Sequence, residues 1–182
     1  MRTYSFSLLL ATALLAPSAL AQTAINETRP LDARGRVDIS NVKGRIEVRG
    51  WDRNEVQITG TLGQGVERLE IGGSREQLDI EVRYPRSGGW GGSKTGPTEL
   101  VVMVPVRADL DIESVAADVH VTGVASSELS ISSVSGSVVA AAAPRKADVE
   151  TVSGNANLTL NSEDVDVSTV SGSIVLRGRL NG

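Results

Sequence analysis

Ser130-Ile-Ser-Ser-Val134-Ser-Gly136, Asp148-Val-Glu-Thr-Val152-Ser-Gly154 and Asp166-Val-Ser-Thr-Val170-Ser-Gly172 are copies of one phrase, each 18 residues after the last. A fourth copy, Asp111-Ile-Glu-Ser-Val115, stands 19 residues earlier and continues Ala116-Ala117 where the others have Ser-Gly. Such self-similarity decides the architecture, because a unit this short holds two small strands and two bends and buries almost nothing alone. Written in columns, the apolar residues fall into rows: Leu110/Leu129/Ala147/Val165, Ile112/Ile131/Val149/Val167, Val115/Val134/Val152/Val170, Val119/Val138/Ala156/Ile174 and Val121/Ala140/Leu158/Leu176. Polar residues fill the intervening columns, the period-2 alternation of strands with one buried and one wet face. Helical spacing is absent.

The sequence therefore predicts an all-β fold, a solenoid with rungs of about 18 residues stacked about 4.8 Å apart, each aliphatic above its counterpart. All five columns are expected in the core, so that Val152→Asp should unfold the chain while Glu150→Lys should cost little. The glycines at 136, 154 and 172 are expected at tight bends, where positive φ carries no steric penalty. The same frame occurs earlier as Val37-Asp-Ile39-Ser-Asn-Val42-Lys-Gly44-Arg-Ile46-Glu-Val48. Val42 precedes Val115 by 73 residues, close to four units, so diverged rungs are expected between them, with strands at 56–59, 66–71, 78–84 and 100–104.

Ahead of this domain, Arg2, the apolar run Leu8–Ala16, Pro17 and the small-residue site Ala19-Leu20-Ala21 make a secretory signal peptide over residues 1–21. The run is too short to cross about 30 Å of hydrocarbon as a helix, so no transmembrane segment is expected. Residues 22–30 are read as an N-terminal linker and 31–182 as the domain. Cleavage moves the net charge from −4 to −5, because only Arg2 leaves with the leader. Without any cysteine there is neither a lipidation site of the lipoprotein kind nor a disulfide, and the exported chain is placed in the periplasm or at the cell surface. Aromatic residues make up 3% of the chain, which leaves the core to Val, Ile, Leu and Ala.

Charge separates along the chain. Residues 22–100 carry twelve acidic and twelve basic side chains, whereas 107–176 carry ten acidic ones against Arg107, Arg145 and Lys146. An acidic repeat region with few aromatics excludes nucleic acid as a partner. The carboxylates read as a solvated face. A cation site built from Asp111, Asp118, Asp148, Glu150 and Asp166 is the competing use, but the Gly-Gly-x-Gly-x-Asp repeats of calcium-binding solenoids are missing.

No catalytic or cofactor-binding residue is predicted. His120, the single histidine, lies at an outward position, no Gly-x-Ser-x-Gly elbow surrounds the serines, and zinc would require more His or Cys ligands. A polysaccharide-cleaving solenoid is the enzyme alternative, with only Trp51 and Trp90 to line a groove. Trp90 sits in the Gly-rich stretch Pro85–Pro97 between Arg86 and Lys94, and these three residues are the predicted ligand contacts.

Gly44-Arg-Ile-Glu-Val-Arg-Gly-Trp-Asp52, Val102-Met-Val-Pro105 and the three Val-Ser-Gly units together resemble the bacterial adhesin-like family of the head GIN domain, or toastrack, type. The resemblance covers residues 31–182. It implies a right-handed β-helix-like solenoid at the cell surface or in the periplasm, binding an envelope, glycan or protein ligand without cofactor or catalysis. The alternative it carries is an envelope-stress accessory or sensor. Counting on from Val165, a further rung would begin at about residue 183, which predicts an open last rung over Val165–Leu176. A longer natural chain is expected from this, with self-association through that rung as the alternative.

Overall fold

The computed structural model describes residues 23–85 and 95–180, and every described element is a β-strand. In chain order they are β1 (Thr23–Pro30), β2 (Arg36–Trp51), β3 (Glu55–Leu62), β4 (Arg68–Gly73), β5 (Gln77–Arg83) and β6 (Thr98–Pro105). They continue with β7 (Asp109–Thr122), β8 (Glu128–Ser135), β9 (Val138–Ala142), β10 (Lys146–Ser153), β11 (Ala156–Ser162), β12 (Asp164–Ser171) and β13 (Ile174–Leu180).

The repeat stacks as its columns require. β8, β10 and β12 pair in parallel with Leu129, Ala147 and Val165 in one row, and β9, β11 and β13 do the same with Val138, Ala156 and Ile174. β7 is long enough to carry both halves of a rung, its first half on β8 and its second on β9. Four of the five predicted columns point inward. Val37, Ile39, Ile46 and Val48 of β2 extend them by one rung, and Leu78, Ile80, Leu100 and Val102 of β5 and β6 by another. Burying each such side chain contributes roughly 1.5–3 kcal/mol.

The expectation of further rungs between Val42 and Val115 is corrected. β2 pairs directly with β7, Gly44 opposite Ala117, so no rung separates them. The intervening chain instead runs to the other side of β2, where β5 and β6 pair with its two halves in parallel. The four strands expected in that stretch are present, but β3 runs antiparallel to β6 and β4 antiparallel to β5. Reversals replace rungs here: Gly65 in the turn after β3 and Gly73 at the end of β4 take the positive φ that these turns use. Residues 23–30, read as a linker, form strand β1, antiparallel to β3 with Ile25 buried. Alternation explains this too: the polar stretch carries one apolar residue at the position that faces in.

Backbone approach between rungs fixes the Gly column. A Cβ on Gly136 would strike the carbonyl oxygen of Ala117, one on Gly154 that of Gly136, and one on Gly172 that of Gly154. Gly136 has φ +139°, as a bend glycine should, but Gly154 does not lie in the left-handed region, and close stacking alone excludes a side chain there.

Neighbouring rungs are also clamped through side chains. The backbone N–H and hydroxyl of Ser137 donate to Asp118 Oδ1 at 2.9 and 2.7 Å, and the N–H groups of Ser127 and Glu128 donate to Asp109 Oδ1 at 2.8 and 2.9 Å. Asn155 and Asn161 accept from Ser173 and Arg179 in the same way. The backbone bond from Ser137, then its hydroxyl bond, hold the Asp118 carboxyl below the usual carboxylate range against the opposing effect of burial.

Candidate functional site, an outward valine column

The fifth predicted core column faces solvent. Val42, Val115, Val134, Val152 and Val170 are 41, 47, 48, 47 and 83% exposed, although the repeat-borne ones were expected inside. Strict period 2 gives the reason. From Leu110 and Ile112 the next inward position is 114, not 115, so Ser114, Ser133, Thr151 and Thr169 turn inward and each valine outward. The inward position lies at the bend, where β2 has Asn41 and the repeat has a hydroxyl residue. There Ser114 Oγ accepts from the Ala117 N–H at 3.0 Å and donates to the Ala117 carbonyl at 2.9 Å. The hydroxyls of Ser133, Thr151 and Thr169 have no hydrogen-bond partner among the described residues.

The registers put the valines of adjacent rungs directly beside one another. Two residues upstream, also outward, runs the column Ser40/Glu113/Ser132/Glu150/Ser168. These two columns flank a groove of about 400 Å³ whose walls include Val115, Val134, Val152 and Val170 on one side and Glu113 and Glu150 on the other. Its exposed surface is mainly apolar. A contiguous apolar stripe in a polar surround marks a contact surface, whereas scattered apolar residues do not.

Beyond the Glu/Ser column lies a third outward one: Asp79, Asp38, Asp111, Ser130, Asp148 and Asp166 on successive rungs. Arg36 answers part of this charge, donating to Asp38 at 2.8 Å and Asp111 at 2.7 Å. The two carboxylates raise its pKa, the Asp38 hydrogen bond most. Among the described residues no three His, Cys, Asp or Glu side chains converge as metal ligands, and the acidic residues lie side by side along the rungs.

Arg86, Trp90 and Lys94 lie outside the described residues, as does the signal peptide. The flanking residues are anchored at the groove's β2 end: Tyr84 donates from its hydroxyl to Asn41 Oδ1 at 2.8 Å, and Lys43 Nζ donates to the Thr95 carbonyl at 3.2 Å. Trp51 is structural, its indole N–H bonded to the Glu55 carbonyl at 2.9 Å with Arg53 over the ring. His120 is half-buried opposite Glu47 and Val139. Among the described residues no helix is long and apolar enough to cross a membrane.

No protein-family model matches the sequence, and no curated protein does. Solved structures do align with it. One, titled a putative cell adhesion protein from Clostridium sporogenes, aligns with TM-score 0.61 at 10% identity over 86% of this chain and all of that one. A putative adhesin from Parabacteroides distasonis aligns at TM-score 0.40 and 11% identity, over 86% of this chain and 79% of the other. A putative lipid binding protein from the same organism aligns at TM-score 0.32 and 11% identity, over 86% and 95%. At TM-score 0.61 and 10% identity the Clostridium sporogenes structure shows a shared fold and nothing further.

Proposed function

We propose that the chain is an exported, non-enzymatic binding module of adhesin-like type, built as a β-solenoid whose outward valine column is its contact surface. The observation that carries this reading is that column itself: five valines, in register on consecutive strands, left open to solvent beside an acidic face. A repeat maintained only for folding would put polar residues there, as it does in the two columns upstream. The Clostridium sporogenes structure, a putative cell adhesion protein, agrees with the reading. So does the apolar leader over residues 1–21, read as a signal for export to the periplasm or beyond.

The test is sedimentation of the purified protein with envelope fractions of the cells that make it. Wild type should co-sediment, and Val134→Ser/Val152→Ser should remain in the supernatant at an unchanged melting temperature. Equal sedimentation of the two would overturn the assignment of the surface, and retention of the native protein in the cytoplasm would overturn export. Contact through Arg86, Trp90 and Lys94 is a separate proposal, checked by Trp90→Ala in the same assay.

A further inference from the structure

We infer that the partner seated on the valine column is a cationic amphipathic helix of another protein; this rests on the binding-module reading above. Charge selects the sign. The five aspartates of the outer column stand beside the groove on rungs about 4.8 Å apart, and Glu113 and Glu150 form its rim. Arg36 already answers Asp38 and Asp111, but Asp148 and Asp166 stand opposite each other with no salt bridge among the described residues, so a cationic partner gains from the apolar contact and from relief of their mutual repulsion. A second copy of this chain would set acidic face against acidic face, and an anionic lipid surface would be repelled in the same way. A glycan is disfavoured because no aromatic side chain lines the groove among the described residues.

Spacing selects the conformation. One turn of helix advances about 5.4 Å, within about 0.6 Å of the rung spacing, so apolar residues at i, i+4, i+7 and i+11 meet roughly one valine per rung. Side chains on one face of an extended segment recur about every 6.7 Å and drift out of step after a single rung. The column from Val42 to Val170 spans four intervals, about 19 Å, which a helix covers in about 13 residues.

The experiment measures binding of the full chain to three labelled peptides by fluorescence anisotropy. One is a Leu/Lys peptide with helical apolar spacing, one has the same composition in strict alternation, and one has the helical spacing with Glu for Lys. The helical Lys peptide should bind at least about tenfold more tightly than the other two, and more weakly as salt rises. Glu113→Gln/Glu150→Gln should weaken it several-fold, and Val134→Ser/Val152→Ser about tenfold, with circular dichroism and melting unchanged. Equal or tighter binding of the Glu peptide would overturn the cationic assignment, and equal or tighter binding of the alternating peptide would overturn the helix. If none of the three binds, the inference falls, while loss of envelope sedimentation in the valine variant would still uphold the binding module.

Discussion

A valine half open to water and a valine three residues away with no exposure respond oppositely to the same change. Val149→Asp places an unpaired carboxylate in the core and should cost more than about 4 kcal/mol, enough to unfold the domain. Val152→Asp, on the outer face, should cost about 1 kcal/mol or less, set by strand propensity. Urea unfolding of the two variants reads the difference, and equal losses would return the valine column to the core. A methyl group is enough for a large effect in the glycine column. Gly136→Ala meets a carbonyl of the next rung and a φ of +139°, and should lose at least about 1–3 kcal/mol in the same measurement. Four of the five core columns were legible from alternation, because Leu110, Ile112, Val119 and Val121 keep the period. The fifth was misread because valine's apolar character was given more weight than its phase. Ser114 and Thr151 held the information, since a hydroxyl residue in the inward phase forces its neighbour outward.

At the scale of the element, the side-chain clamps between rungs make stability respond to acid. The native Asp118 carboxyl is held low by Ser137, so its contribution is complete above about pH 5, fades near the ordinary value of about 3.9 and is lost as pH falls through the lowered native value. Asp118→Asn should reduce stability at pH 7 by about 1.5 kcal/mol and flatten that part of the profile between pH 5 and 3. Thermal melts across this range check both, and an unchanged slope would show that the clamp does not hold the rung. No motif announces such clamps. Asp109, Asp118, Asn155 and Asn161 lie 18 or 19 residues from their partners, a separation visible only once the repeat is recognised as a stack. The antiparallel pairings of β3 with β6 and β4 with β5 were hidden for the opposite reason: their alternation marks strands but carries no direction.

Across the whole molecule, protection should follow position in the sheet and not position in the chain. β2 has β5 and β6 on one side and β7 on the other, so its amides should exchange slowest in deuterium, together with those of β7. β12 and β13, each with a single neighbour among the described residues, should exchange fastest within the repeat. Uniform protection from residue 36 to residue 180 would contradict the strand order. The separation of charge along the chain also acts at this scale: the acidic outer column is scattered as single residues in sequence and becomes one face only through stacking.

The seat of β2 governs the order in which the molecule can be completed. It is made early, yet both of its neighbours come later, and its pairing with β7 joins residues 73 positions apart. A chain emerging from its amino end therefore cannot zip up rung by rung; β2 can take up β5 and β6 once residue 105 has arrived, but its other edge stays open until residue 122. Closing that long loop is the slow, entropically costly event, after which the later rungs can add one at a time over short connections. A polypeptide whose central wall cannot close until two thirds of it has been delivered keeps an unpaired strand edge for most of its synthesis, and its last third decides when that edge is covered.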